Sequence, residues 1–147
     1  MDKVIYSPDK QHKLELCLVD YYLPEYIPVR ADTHIPYYKL KIDDELIKRR
    51  YFKDIYLFTE NAEFFVIAEW YLQVYSLEAL KTALIGPNNR LVIFDLHKKT
   101  CGVVSVNMGG DITPKAFKDD KIIYTKNNKG LIRELEVDVS QVKWVPW

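Results

Sequence analysis

Residues 64–72 have the sequence FFVIAEWYL, and this segment decides the fold class of the chain. It opens with a run of five apolar residues, Phe64 to Ala68, which is the length of a strand. Because successive side chains of a strand point to opposite sides, apolar residues occupy both of its faces. A strand of this kind is typical of a sheet that is covered on both sides. The segment therefore predicts a central strand that is buried on both faces.

The segments on either side of this strand alternate apolar and polar residues, as half-buried strands do. In residues 13–20, leucines at positions 14, 16 and 18 alternate with more polar residues. The same pattern predicts a strand at residues 38–43. Segments between turn signals predict further strands at residues 46–52, 53–58, 91–96, 101–106, 121–125 and 131–139, and a brief edge segment at residues 116–117.

Local signals predict one helix and one tight hairpin. Ser76 suits a helix N-cap, leucines follow at helical spacing, and Gly86-Pro87 ends the pattern, so a short helix is predicted at residues 76–84. Residues 127–130, with the sequence NNKG, separate two predicted strands and indicate a hairpin turn.

The fold class predicted is mostly β, with antiparallel sheets of about ten short strands and one short helix. Two architectures remain open, a β-sandwich and a partial β-propeller. The propeller hypothesis depends on a repeat, since Phe52-Lys53-Asp54 recurs as Phe117-Lys118-Asp119 before a strand, a turn and a second strand. The turn Ser7-Pro8-Asp9-Lys10 also resembles the Ser-Pro-Asp-Gly loops of propeller repeats.

Length and charge limit the class of function. A chain of 147 residues predicts a single domain, residues 1–147. The 21 Lys and Arg residues balance the 21 Asp and Glu residues, which argues against a nucleic-acid partner. The densest basic cluster, Lys48-Arg49-Arg50, follows the acidic Asp43-Asp44-Glu45, so it is interpreted as a solvated hairpin. Because the chain has no secretory signal, no membrane-length apolar run and only two cysteines, we expect a cytoplasmic protein.

The residues that usually carry chemistry form no active-site pattern. The histidines, His12, His34 and His97, lack metal-ligand spacing, and Cys17 and Cys101 form no Cys-x-x-Cys motif. Cys101 and His97 flank a predicted turn, but no third residue is indicated that would orient them. The sequence therefore predicts a protein that is not an enzyme and that has no metal site and no cofactor.

Three carboxylates form the first candidate binding feature. Glu134, Glu136 and Asp138 alternate with apolar residues, so they line one face of one strand, about 7 Å apart. Such a stripe is a solvated strand face, an acidic surface for a basic partner, or a carboxylate pair of a hydrolase.

The second candidate is a tyrosine- and proline-rich loop predicted from Tyr21 to Tyr38. Its prolines pre-stiffen the chain, and tyrosine offers a large contact area at low entropic cost. The alternative is that these tyrosines pack over a sheet edge. The residues predicted to contact a partner here are Tyr21, Tyr22, Tyr26, Tyr37 and Tyr38.

In size, cytosolic character and aromatic-rich β composition, the whole chain resembles the immunity proteins of bacterial contact-dependent growth inhibition systems. The resemblance implies a non-catalytic protein that binds and blocks a cognate toxin, a basic protein such as a nuclease, often through an acidic surface. It has no diagnostic motif and therefore assigns no residue. The alternative hypothesis is a small propeller-like scaffold that self-associates or joins a larger complex.

Overall fold

The computed structural model of the chain describes residues 2–20, 37–70 and 88–147. These residues form twelve strands and one short 3-10 helix, Val139–Gln141. The predicted helix at residues 76–84 lies outside the described residues. The strands are β1 (Lys3–Tyr6), β2 (Lys13–Asp20), β3 (Tyr37–Ile42), β4 (Glu45–Leu46), β5 (Phe52–Phe58), β6 (Phe64–Trp70), β7 (Asn88–Asp95), β8 (Thr100–Met108), β9 (Asp111–Lys118), β10 (Lys121–Asn128), β11 (Leu131–Asp138) and β12 (Val145–Pro146).

The strands pair antiparallel in two sheets, which confirms the predicted mostly β, antiparallel class. The larger sheet has the order β1-β2-β3-β5-β6-β7-β8-β12, with β4 paired to β3. The smaller sheet has the order β11-β10-β9. Only one residue pair, Tyr38 with Phe52, joins β3 to β5 in the larger sheet.

The larger sheet folds over at this narrow joint. Leucines of β2 and β3 share a core with Phe65 of β6 and Phe94 of β7, although β2 and β7 are not neighbours in the strand order. The rings of His12, which precedes β2, and His97, which follows β7, have centroids 5.3 Å apart. Strands far apart in a flat sheet do not meet in this way. Strands β1 to β4 therefore form one layer and β5 to β8 form a second.

The smaller sheet packs on the other face of β5 to β8, so the described residues form three sandwich-like layers with two cores. Strand β6 lies between them, with Phe65 and Ile67 in the first core and Val66 and Ala68 in the second. The prediction of a central strand buried on both faces is confirmed.

Tight turns fix the register of the hairpins. Lys129 and Gly130, between β10 and β11, have φ angles of 53° and 84°, as a type I′ turn requires. Asp119 and Asp120, between β9 and β10, also have positive φ, at 53° and 61°. The hairpin predicted at residues 127–130 is confirmed.

Several predicted elements differ from the structure. Residues 47–51 form no strand, because the chain turns at Arg49 (φ 62°) and carries Arg50 to a buried carboxylate. The segment predicted at residues 116–117 is part of the full strand β9, which tolerates Pro114 because it is an edge strand. Strands β1 and β12 were not predicted.

The proposed tripeptide repeat does not mark equivalent positions. Phe52 begins β5, whereas Phe117 and Lys118 end β9. In the described parts of the chain no helix has the length and apolar character needed to cross a membrane.

Candidate protein-binding surface

Strand β11 is an edge strand and carries the predicted acidic stripe. It pairs with β10 from Asn128↔Leu131 to Lys121↔Asp138. No described strand pairs with its other side. The edge is reached directly after the type I′ turn, so the whole length of β11 lies on the rim of the smaller sheet.

The hydrogen-bond alternation determines which residues face the open edge. Val139 donates its N–H to the carbonyl of Asp120 at 2.9 Å, so every second residue from there back along β11 bonds to β10. The residues between them direct their backbone N–H and C=O groups away from β10. These are Ile132, Glu134 and Glu136, so two of the three acidic residues also present free backbone groups.

The acidic side chains lie on the outer face of the smaller sheet. Leu135 and Val137, which alternate with them, pack against the second core. Glu134 and Glu136 are exposed, and Glu134 makes no hydrogen bond or ion pair with any described residue. The Nζ atom of Lys121 lies 3.5 Å from Glu136 in an exposed pair.

Asp138 is on the same face but has a local structural task. Its carboxylate accepts the N–H of Ser140 at 2.9 Å, and its own N–H is bonded by the Gln141 side chain at 3.2 Å. These two contacts form a capping box at the start of the 3-10 helix. Hydrogen bonds from the backbone and side chain of Ser140 hold the pKa of Asp138 below its ordinary value. The open edge of β11 therefore ends at Asp138, whose N–H is already hydrogen-bonded.

Two apolar side chains at the start of β11 extend this surface. Leu131 is 67% exposed and Ile132 is 64% exposed. Strand alternation in the sequence does not single them out, because apolar residues at such positions are buried in the other strands. The one sign in the sequence is the hairpin signal just before them, because residues next to a turn lie at the end of a strand, away from the core.

The predicted tyrosines do not join this surface in the described residues. Tyr37 is 1% exposed, and its ring meets that of Tyr51 edge to face at 5.2 Å. The side chain of Tyr37 therefore lies in the interior, and its contact with a partner stays a prediction. Tyr38 is half-buried against the first core. Tyr21, Tyr22 and Tyr26 lie outside the described residues.

A buried ion network is the other feature that sequence reasoning missed. The Glu69 carboxylate is 3% exposed and lies between two guanidinium groups. Arg50 donates to one oxygen, from Nε at 2.6 Å and also from Nη2. Arg90 donates to the other oxygen from Nε and Nη2, both at 2.5 Å. Both oxygens of Glu69 thus accept hydrogen bonds from arginines, so the carboxylate has a structural role.

The two residues considered for nucleophilic chemistry have other contacts. The buried Cys101 sulfur lies 3.6 Å from Nη1 of Arg50. The ring of His97 packs on His12, which is bonded to Asp43 at 2.8 Å. Among the described residues, no group of three or more potential metal ligands comes together.

Several basic residues lie close together near the loop between β4 and β5. A shallow pocket of about 200 Å³ lies beside the loop that leads to Arg50. Its lining residues are Lys39, Leu46, Ile47, Lys48, Arg49, Arg50 and Tyr51. The neutral net charge of the chain therefore conceals regions of opposite sign.

Comparisons with protein-family models, with curated proteins and with solved structures find no match for this chain.

Proposed function

We propose that this chain is a non-catalytic, cytoplasmic immunity protein that binds and inhibits a cognate bacterial toxin through strand β11. The observation that carries the proposal is the exposed pair Glu134 and Glu136 on an edge strand that has no described strand on its other side. Asp138, the third acidic residue of the strand, caps the 3-10 helix, whereas Glu134 and Glu136 have no such structural role. An exposed row of like charge on a rim favours a partner of opposite charge.

The position of the carboxylates favours binding over hydrolysis. A glycosidase pair needs a cleft that holds a sugar between two carboxyl groups. Glu134 and Glu136 instead project from one open strand face, beside Thr125 and Ile123 of β10. A basic toxin, such as a nuclease, would lose access to its anionic substrate when this row covers its active site.

The test is capture of a partner by the tagged chain, followed by a growth assay. We expect one basic protein, bound one to one, that stops growth when expressed alone and is neutralised by this chain. The double substitution Glu134→Lys and Glu136→Lys is expected to weaken binding at least about 100-fold, because close charge pairs across interfaces couple strongly. The matched control, Glu45→Lys with Glu60→Lys, makes the same change in net charge at exposed sites on other layers. Equal affinity for both double variants would refute the proposal.

A second candidate is a scaffold that self-associates or joins a larger complex. The exposed Leu131 and Ile132 favour it, because apolar residues at a sheet rim promote association. Sedimentation at micromolar concentration separates the two. A stable dimer or higher assembly of the chain alone supports the scaffold, and a monomer argues against self-association.

A further inference from the structure

We propose that β11 binds its partner by strand addition. An extended segment of the partner, with Lys or Arg at every second position, pairs with the open edge as a fourth strand of the smaller sheet. This inference rests on the proposed function, since it names the way in which the acidic surface takes hold of a basic protein. Strand addition differs from contact between two side-chain surfaces because backbone hydrogen bonds supply part of the affinity.

The open edge has defined ends. Ile132, Glu134 and Glu136 each present one N–H and one C=O group outward. The capping box at Asp138 occupies the next N–H and ends the row. The open edge thus runs over the five residues from Ile132 to Glu136. At a rise of about 3.4 Å per residue it is roughly 17 Å long, which matches an added strand of about five residues.

The other edges among the described strands are poorer templates. Strand β1 has four residues, and β4 and β12 have two each. Strand β9 is longer, but Pro114 removes a donor and a bulge breaks its register with β10. Strand β11 has eight residues in unbroken register with β10. Strands β5 and β8 also lack a strand partner along most of one side, but a bulge breaks the register of each with its neighbour. Among the described strands, β11 is therefore the longest edge in unbroken register.

Charge specifies the occupant. Side chains directly opposite each other on paired strands lie about 5 Å apart, and opposite charges there attract. An added strand therefore gains from Lys or Arg beside Glu134 and Glu136. On the other face the same strand passes Leu131, Arg133 and Leu135, and apolar residues at its alternate positions cover the two leucines.

The same charges disfavour a second copy as the occupant. Antiparallel pairing of two β11 edges sets Glu134 and Glu136 of one copy beside the same residues of the other. Like charges placed directly opposite destabilise a strand pair. The edge is therefore selective for a basic segment of a different protein.

The probe is a synthetic seven-residue peptide in which Lys alternates with Val, with blocked termini. Amide hydrogen exchange of the chain is followed by NMR at millimolar peptide. We expect the N–H groups of Ile132, Glu134 and Glu136 to exchange at least about ten times more slowly with peptide bound, because each becomes a ladder donor. A peptide with Glu in place of Lys is the control and is expected to give no protection. Absence of protection by the Lys peptide overturns strand addition.

Glu134→Pro tests the backbone directly. Its N–H points away from β10, so proline removes an edge donor without removing a bond within the sheet. We expect at least a tenfold loss of peptide affinity, with Glu134→Gln as the variant that keeps the donor. The urea midpoint of the proline variant reports whether the fold is retained.

The outcomes separate this inference from the proposed function. If charge reversal abolishes binding of the toxin but Glu134→Pro and amide exchange have no effect, the acidic face binds without strand addition and only this inference fails. If charge reversal has no effect on toxin binding, the proposed function fails as well.

Discussion

Glu69→Gln removes the charge at the centre of the buried ion network and keeps the size of the side chain. In the native protein each carboxylate oxygen accepts two donors, one pair from Arg50 and one from Arg90. The glutamine amide replaces one of these oxygens by an NH₂ group, which faces guanidinium donors and finds no acceptor there. Both arginines then lose the charge of the Glu69 carboxylate as a partner.

The expected loss of stability follows from the burial of the three groups. Removing one partner of a fully buried ion pair costs about 3–5 kcal/mol. The arginine side chains are 20% and 23% exposed, so they recover part of this by hydration. We therefore expect Glu69→Gln to lower the free energy of unfolding by about 3 kcal/mol, a large share of the 5–15 kcal/mol typical of a domain.

Urea unfolding measures this loss. With a denaturant slope of about 2 kcal/mol per molar, the midpoint is expected to fall by about 1.5 M. Glu60→Gln, at an exposed position in the turn between β5 and β6, is the control and is expected to change stability by less than about 0.5 kcal/mol. A loss below about 1 kcal/mol for Glu69→Gln would refute the reasoning, because the network would then contribute no more than a solvent-exposed salt bridge does.

Two further substitutions test close packing and a pH-dependent contact. In Gly102→Ala the new Cβ would meet the Val142 side chain and lie 2.8 Å from the carbonyl oxygen of Lys143, so we expect a loss of about 1–3 kcal/mol, seen as a lower melting temperature. An unchanged melting temperature would contradict this packing. Burial raises the pKa of Asp43, but hydrogen bonds from the His12 ring and the Lys13 N–H outweigh this effect and hold that pKa below its ordinary value. Because the folded pKa lies below the unfolded one, the carboxylate stabilises the fold above about pH 4 and this contribution is lost as pH falls through the folded pKa. Asp43→Asn is therefore expected to cost about 1 kcal/mol at pH 7 and progressively less as the pH is lowered through the folded pKa in urea titrations, and a cost that does not change with pH would contradict it.

The features that sequence predicts well depend on residues close together in the chain. Strand β2 has the predicted bounds, since three leucines at alternate positions define its buried face. The central place of β6 follows from its two apolar faces, and the turn at Gly130 follows from a residue type that tolerates positive φ.

The features that sequence misses depend on distant residues. Arg50 leaves the predicted strand because the carboxylate of Glu69, 19 positions away in the chain, accepts its hydrogen bonds. The burial of Tyr37 depends in the same way on the turn that brings Tyr51 beside it. The alternation of Glu134 and Glu136 is visible in the sequence, but that β11 is an edge is a property of strand order, which local patterns do not specify.

An open edge with exposed Leu131 and Ile132 would by itself promote pairing between copies of the chain. Charged residues at alternate edge positions are a common protection, because two identical edges then repel each other. In this protein the protecting residues, Glu134 and Glu136, sit at the positions whose backbone groups are free. The same two carboxylates thus affect two free energies in opposite directions: they raise the free energy of pairing with a second copy and lower that of pairing with a basic strand. Protection against self-association and selectivity for a basic partner therefore have a single physical cause, and a substitution at either residue changes both.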